Sequence, residues 1–400
     1  MKKILCLILC TVMMLTLPGC WSRKEPKTLA IVNSVIYDYK DGKGYEVTTE
    51  IMNPTSSGGP GSSSGDGKSA NITTISTGPT VPEAIRNASE SLERAIFGGH
   101  NMVRFLSERL VQRDITPLLD YLLRDFLTDE NPWMVVLKGD DPRKIYSCML
   151  GLSNTVGDYI DSLAGSQPDI LSKSVFVSTL DFIKGYYDKG IQPVAGVVQM
   201  VECESKGSNS EASAQDDSEK KYRILYEGLA AFKDNKLVGY LDGLETRAYN
   251  LVTNNVDTSP ISIPVKDEFT VVLIKSSKSD IQTTVEGEEI TINVRIKAGL
   301  SLIQEGGSID ISKMEPLKTV EDGFNKQLSM EIASTIRKVQ SEFQSDIFGF
   351  GKALHAQHPE KWREIKENWD DYFSKAAVNV SVESTVNRSG QIKQPFMMQD

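Results

Sequence analysis

One uncharged apolar run, ILCLILCTVMMLTL from Ile4 to Leu17, sets the first limit on how this chain can fold. It follows Lys2 and Lys3 and precedes a small residue and a cysteine, a pattern typical of a secretory signal. At about 1.5 Å of helical rise per residue, the run is too short to cross a hydrocarbon core of roughly 30 Å comfortably. No second apolar stretch of transmembrane length follows. The rest of the chain is therefore expected to fold as a soluble body outside the cytoplasm.

The end of this run, Leu17-Pro18-Gly19-Cys20, predicts a bacterial lipoprotein signal. In that interpretation the thiol of Cys20 receives a diacylglyceryl group, and cleavage before Cys20 frees its amine for a further acyl chain. Two or more acyl chains hold a protein stably on a bilayer, whereas one chain does not. The alternative is a plain secretory signal in which Cys20 is incidental.

Charge and the supply of reactive side chains limit the function classes. The chain carries 44 Lys plus Arg against 54 Asp plus Glu, a net charge of −10 that repels phosphate backbones, so no nucleic-acid partner is expected. His355 and His358 lie three residues apart, but Pro359 follows at once and no HExxH motif exists, so no metal site is expected. No GxSxG occurs at a predicted strand-to-helix turn, no SxxK at the start of a predicted helix, no GxGxxG after a strand, and no CxxC pair, which predicts no cofactor and no enzymatic activity.

The cysteines leave one open question about disulfides. Of five, Cys6 and Cys10 precede the predicted cleavage point and Cys20 carries the predicted lipid. Cys148 and Cys203 remain, and outside the cytoplasm they could form a disulfide bond. The alternative, two separate buried thiols, is favoured because a chain of this length needs no covalent cross-link.

Period-two and helical patterns alternate along the N-terminal half. A hairpin is predicted at the start of the chain body. Segment 28–39 is rich in β-branched and apolar residues, segment 44–52 alternates between apolar and polar residues, and an Asp-Gly turn separates them. The Gly/Ser/Pro segment 54–69 has little to bury and predicts a loop. Strands are further predicted at 70–77, 102–106, 133–137 and 193–201, and helices at 82–96, 108–113, 116–126 and 174–187.

In the C-terminal half, strands are predicted at 222–232 and within 261–303, and a final strand at 377–386. A long amphipathic helix is predicted over 320–343, because apolar residues recur every three or four positions and form one core face. This stripe comprises Phe324, Leu328, Ile332, Ile336, Val339 and Phe343.

These elements predict a mixed α+β fold with mostly antiparallel sheets, packed helices and about three domains. The polar segment 204–221 is taken as the main domain boundary, or as a long hairpin loop if the strands on either side pair. The predicted division comprises a signal peptide at 1–19, a tether at 20–27, an N-terminal α/β region of two subdomains at 28–203, the polar segment at 204–221, a C-terminal α/β domain at 222–392 and a tail at 393–400.

Three blocks of sequence resemble the Ger(x)C family of spore germination lipoproteins, the C subunits of nutrient germinant receptors. The lipobox runs into GCWSRKE and the strand TLAIVNSVIYD. The middle block is EGLAAFKDNKLVGYLDGLETRAYNLV, from Glu227 to Val252. The third and most specific runs from Asp346 to Ile392 and contains DIFGFGKALHAQHPEKWREIKENWDDYF and VNVSVESTVNRSGQI. The blocks occur in order along nearly the whole mature chain.

The resemblance implies a lipoprotein on the outer leaflet of the spore inner membrane, assembled with membrane-embedded A and B receptor subunits. Such a receptor senses nutrients and triggers the release of ions and dipicolinate. The resemblance supplies no catalytic residue, and only Cys20 takes over a chemical role from the family. Two alternative functions are a lipid-anchored substrate-binding protein of an importer, with two similar lobes around a cleft, and a lipoprotein hydrolase.

The C-terminal block is the predicted partner interface, since without a catalytic site the function is expected to depend on surfaces. It concentrates aromatic residues between Phe348 and Phe373, more than one core face needs. Trp362 and Phe373 are expected in the core. Arg363, Lys366 and Trp369 are the residues predicted to contact a partner subunit.

Overall fold

A computed structural model of the chain describes residues 3–4, 28–52, 71–124, 131–166, 172–203, 221–256, 258–265, 268–304 and 314–387. The lipobox with Cys20, the segment 54–69, nearly all of 204–221 and the predicted tail lie outside the described residues. The described chain is a mixed α+β protein, as predicted, and it contains two sheets. Its strands are β1 Leu29–Lys40, β2 Gly44–Met52, β3 Asn71–Gly78, β4 Ala95–Phe97, β5 Val103–Ser107, β6 Trp133–Lys138, β7 Val194–Glu202, β8 Tyr222–Lys233, β9 Lys236–Leu241, β10 Ser259–Val265, β11 Glu268–Glu286, β12 Glu289–Gln304 and β13 Ala377–Asn387.

The first sheet has nine strands in the order β3-β2-β1-β5-β6-β7-β8-β9, with β4 paired to β1 outside this path. The predicted hairpin of β1 and β2 is confirmed: the strands pair antiparallel from Val32↔Ile51 to Lys40↔Gly44, and Gly42 and Gly44 take φ of 77° and 80° in the turn. Pairing is antiparallel at both ends of the sheet but parallel from β1 through β7. Helical crossovers between these central strands explain the parallel part, which the mostly antiparallel prediction did not include.

Ten helices accompany the sheets: α1 Val81–Ala88, α2 Glu108–Val111, α3 Thr116–Arg124, α4 Val156–Ser166, α5 Thr179–Tyr187, α6 Gly243–Val252, α7 Met314–Lys338, α8 Phe350–Gln357, α9 Pro359–Ile365 and α10 Trp369–Lys375. This count refers to the described ranges. None of these helices combines the length and the apolar composition that a membrane crossing requires.

The first helix is shorter than predicted. The pattern predicts a helix over 82–96, but α1 ends at Ala88 and a 3₁₀ turn, Ser89–Ser91, follows. Residues Ala95–Phe97 then form β4, which pairs parallel with Leu29–Ile31. The backbone of these residues forms hydrogen bonds to β1 instead of helical hydrogen bonds. This pairing joins segments that are far apart in the chain, and local periodicity does not predict it.

Helix α4 lies within 149–170, a segment for which no helix or strand is predicted. Its start is held by Glu50 of β2, which is fully buried and accepts hydrogen bonds from the backbone N–H groups of Val156 (2.8 Å) and Gly157 (3.2 Å). Ser34 of β1 donates to the same carboxylate at 2.8 Å. A carboxylate at a helix N-terminus satisfies free N–H groups and complements the helix dipole. Glu50 therefore fixes α4 against the first sheet.

The polar segment 204–221 joins two strands that pair. β7 and β8 run antiparallel from Val194↔Ala231 out to Glu202↔Tyr222, so the first sheet continues across this segment. This pairing agrees with the second alternative for this segment, a long hairpin loop between two paired strands. The division of the chain into three domains remains a prediction.

The second sheet has the order β10-β11-β12-β13, with β12 and β13 parallel and the other pairs antiparallel. Helix α7 packs on it and continues into a π-helical turn, Val339–Phe343. The predicted apolar stripe is confirmed, because all six of its side chains are buried in one core with the inner face of this sheet: Phe324, Leu328, Ile332, Ile336, Val339 and Phe343.

Cys148 is buried, Cys203 is half-buried, and both are free thiols in this structure. Burial, with a smaller contribution from Cys203, raises the pKa of the Cys148 thiol to about 11. The backbone N–H groups of Met149 and Cys203 donate to the carbonyls of Tyr222 and Lys221, so the two cysteines flank the start of β8. Pairing of the two thiols stays a prediction.

Candidate functional site

The predicted interface block is organised around one buried carboxylate, that of Asp346, which is 0% exposed. Its Oδ1 accepts hydrogen bonds from the backbone N–H groups of Phe348 (3.1 Å) and Gly349 (3.0 Å). Its Oδ2 accepts from the backbone N–H of Gly351 (2.7 Å) and from the indole Nε1 of Trp369 (2.9 Å). One side chain thus connects the turn before α8 to the start of α10.

Two glycines allow this arrangement. Gly349 has a φ of 80°, a left-handed conformation that other residues rarely adopt. A Cβ at Gly351 would lie 2.7 Å from Trp369 Nε1 and 2.9 Å from Gly190 Cα, so only glycine fits. Asp346 was not among the predicted site residues. The sequence does contain a pattern that indicates such a site: an aspartate followed by glycines three and five positions later can accept hydrogen bonds from several backbone N–H groups of a turn.

Burial raises the pKa of Asp346 to about 6, although the four hydrogen bonds act in the opposite direction. Desolvation is the larger effect because the carboxylate is completely withdrawn from water. This carboxyl group therefore titrates in a mildly acidic range, where an exposed aspartate is already ionised.

The aromatic residues of the block form a core. The expected burial of Trp362 and Phe373 is confirmed, with exposures of 5% and 0%. Trp369, predicted as an interface residue, is 3% exposed and packs edge-to-face on Trp362 at a centroid distance of 5.6 Å. The prediction for Trp369 is therefore wrong. A 3₁₀ turn, Lys366–Asn368, redirects the chain before α10, and the bond to Asp346 holds the indole inside.

The two predicted cations of the block lie outside this core. Arg363 has 71% of its side chain exposed, and its nearest acidic partner is Glu360 at 3.9 Å. Lys366 is exposed, and no carboxylate of a described residue lies within ion-pair distance of it. Both side chains are accessible to a partner.

Lys366 lines two neighbouring grooves. The first, of about 860 Å³, is polar and is formed by Asp188, Lys189, Lys233, Asp234, Lys366 and Glu367, among others. Lys189 pairs with Glu367 across it, and Lys233 pairs with Asp370 at 3.2 Å. The second groove, of about 980 Å³, includes two exposed apolar side chains, Leu123 at 50% and Tyr187 at 69%. Sequence patterns did not identify these two residues, because they come from helices far from the block in sequence.

The histidines of the block have structural partners. The ring of His355 stacks on Trp362 with a centroid distance of 5.7 Å, and His358 Nε2 lies 2.9 Å from the carbonyl oxygen of Thr283. Among the residues that the structure describes, no group of three or more His, Cys, Asp or Glu side chains is placed to hold a metal ion. The block therefore consists of a buried aromatic core, and exposed cations and two grooves lie on its surface.

Family comparisons cover most of the chain. Residues 22–200 match the family described as spore germination protein N-terminal domain. Residues 227–390 match the family described as spore germination B3/GerAC like, C-terminal. The second match contains the whole aromatic block.

Relatives of known name align over nearly the full length. Spore germination protein KC of Bacillus subtilis (strain 168) is 23% identical over 405 residues, covering 100% of this chain and 98% of the relative. Spore germination protein B3 of the same strain is 23% identical over 385 residues, covering 95% and 96%. Spore germination protein A3 is 22% identical over 400 residues, covering 97% and 98%. The crystal structure of the GerBC protein is similar in fold, with a TM-score of 0.51, 18% identity and coverage of 88% of this chain and 96% of that one.

Proposed function

The chain belongs to the spore germination B3/GerAC-like family, and we propose that it is a lipid-anchored, non-catalytic subunit of a spore nutrient germinant receptor. In this role it sits on the outer leaflet of the spore inner membrane through acylated Cys20. It contacts the membrane-embedded A and B subunits of the receptor and is needed for germination in response to nutrients.

The observation that carries the proposal is the match of two spore germination families, in order, over residues 22–200 and 227–390. A role in germination follows from the family. The anchor rests on the sequence Leu17-Pro18-Gly19-Cys20. The partner contact rests on the exposed cations and the grooves around Lys366. Grooves of this kind, with exposed aromatic and apolar side chains beside charges, are suited to protein partners.

Replacing Cys20 with alanine tests the anchor. We expect the variant to lose palmitate incorporation completely, because the acyl groups are attached through that thiol and the amine that cleavage exposes. Metabolic labelling with radioactive palmitate, followed by immunoprecipitation of the protein, measures this. Cys203→Ala is the matched control and should label like the wild type. Equal labelling of Cys20→Ala would remove the lipid anchor from the proposal.

Reversing the charges of Arg363 and Lys366 tests the partner surface. We expect Arg363→Glu with Lys366→Glu to abolish nutrient-triggered germination, since an exposed cation in an interface becomes a like-charge repulsion. Optical density and dipicolinate release follow germination, and circular dichroism and immunoblotting check fold and abundance. Arg295→Glu with Lys297→Glu is the control, because these two exposed cations lie on β12 in the second sheet. Normal germination of the Arg363/Lys366 variant would exclude this face as a receptor contact.

The importer alternative predicts two similar lobes around a cleft. The described chain instead contains a nine-stranded and a four-stranded sheet with different strand orders. The two functions also differ in phenotype: loss of an importer subunit reduces nutrient uptake by growing cells and leaves germination intact. A deletion strain with that phenotype would favour the importer over the receptor.

A further inference from the structure

A cavity of about 520 Å³ lies in the N-terminal half, between the first sheet and the segment that follows α1. Its floor is formed by buried valines of β1 and β2, including Val32, Val35 and Val47. Leu92 and Ile96, which follow α1 in the chain, also line it. The cavity lies where the helix ends early, because the 3₁₀ turn and β4 lead the chain to the edge of β1 and away from the face of the sheet.

The volume of this space lies within the range of small-molecule binding sites, which occupy about 300–1,000 Å³ and have mainly apolar walls. The apolar part of the walls is aliphatic except for Tyr37 and Tyr121, which add aromatic surface. An apolar molecule would gain burial here without displacing any side chain.

The polar groups of the cavity indicate the chemistry of its ligand. Asn101 is 5% exposed, lines the cavity, and its Oδ1 has no hydrogen-bond partner among the described residues. A buried acceptor of this kind is costly unless a ligand or water donates to it. The exposed Arg86 and Glu93 and the half-buried Arg94 also line the cavity, and neither arginine forms an ion pair within the described part of the chain. These three side chains carry a net charge of +1 and offer two guanidinium groups to an anion.

From these features we propose that the cavity binds a small amphiphile with an apolar body and one anionic group. The apolar body lies against the valines of β1 and β2, and the anion accepts hydrogen bonds from Arg86 and Arg94. A polar hydrogen of the ligand or of a bridging water is donated to Asn101. This inference is independent of the proposed receptor role, because it rests on the cavity alone.

Photolabelling of the full-length chain with decanoate carrying a terminal diazirine tests the proposal. The probe has the apolar body and the anion, and the modified residues are located by peptide mass spectrometry. We expect labelling that saturates and falls on residues 85–101 and on β1 and β2. Decanol with the same diazirine, which lacks the carboxylate, should label these sites at least about tenfold more weakly because the charge-assisted hydrogen bonds are lost.

Two variants separate specific binding from surface adsorption. Ala95→Phe narrows the cavity from an exposed position and should abolish labelling while the circular dichroism spectrum is unchanged. Arg86→Gln with Arg94→Gln should weaken decanoate labelling about tenfold and leave decanol labelling unchanged. Arg124→Gln is the matched control, since Arg124 is exposed and does not line the cavity. Labelling that is equal in wild type and Ala95→Phe, or that lies outside the cavity, would overturn the proposal.

Discussion

Replacing Asp346 with alanine is expected to lower the free energy of unfolding at pH 7 by about 4 kcal/mol. The change leaves four donors without an acceptor: the backbone N–H groups of Phe348, Gly349 and Gly351 and the indole N–H of Trp369. Water does not reach this position, so the lost hydrogen bonds are not replaced. Urea denaturation followed by tryptophan fluorescence measures the change.

Two further variants make this result interpretable. Asp346→Asn keeps one carbonyl oxygen but places an amide N–H₂ against donors, so a smaller loss of about half that size is expected. Asp280→Ala removes an exposed carboxylate of β11 and should change the unfolding free energy by less than about 0.5 kcal/mol. If Asp346→Ala were no less stable than Asp280→Ala, the buried carboxylate would not hold the block together. Measuring germination of spores that carry the Asp346 variants tests separately whether the function of Arg363 and Lys366 depends on this core.

The second large effect concerns pH. Because burial raises the pKa of Asp346 to about 6, against an ordinary value of 3.8, the folded protein retains a proton on this group that the unfolded chain has released. The additional stability that this retained proton provides is therefore fully present below about pH 4 and is lost as the pH rises through 6, whereas the hydrogen bonds to the Asp346 carboxylate remain above that pH. Two pH units correspond to about 3 kcal/mol.

The measurement compares wild type with Asp346→Asn at several pH values between 4 and 7.5. Other titrating groups are common to both proteins and cancel in the difference of their unfolding free energies. The advantage of the wild type should shrink as the pH rises between 4 and 6 and become constant above about 7. A difference that is independent of pH would mean that the four hydrogen bonds offset the desolvation of the carboxylate.

The sequence alone determined the features that depend on neighbouring residues. Alternating β-branched residues around an Asp-Gly turn specified the β1–β2 hairpin, and the stripe from Phe324 to Phe343 specified the buried face of α7. Such patterns are reliable because the side-chain periodicity of a strand or helix is itself local. The exposure of Arg363 and Lys366 follows for the same reason, since charged side chains on a helix face rarely lose their water.

Only the tertiary structure shows the features that depend on pairing or packing between segments distant in the chain. Residues Ala95–Phe97 form a strand and not the predicted helix, because they pair with β1. Helix α4 forms where Glu50 of β2 accepts hydrogen bonds from its first N–H groups. Trp369 became a core residue because Asp346, far along the chain, accepts its indole hydrogen. The cavity beside Asn101 is likewise a space between segments. These outcomes depend on contacts that join residues far apart in the chain, and no local period records which of them form.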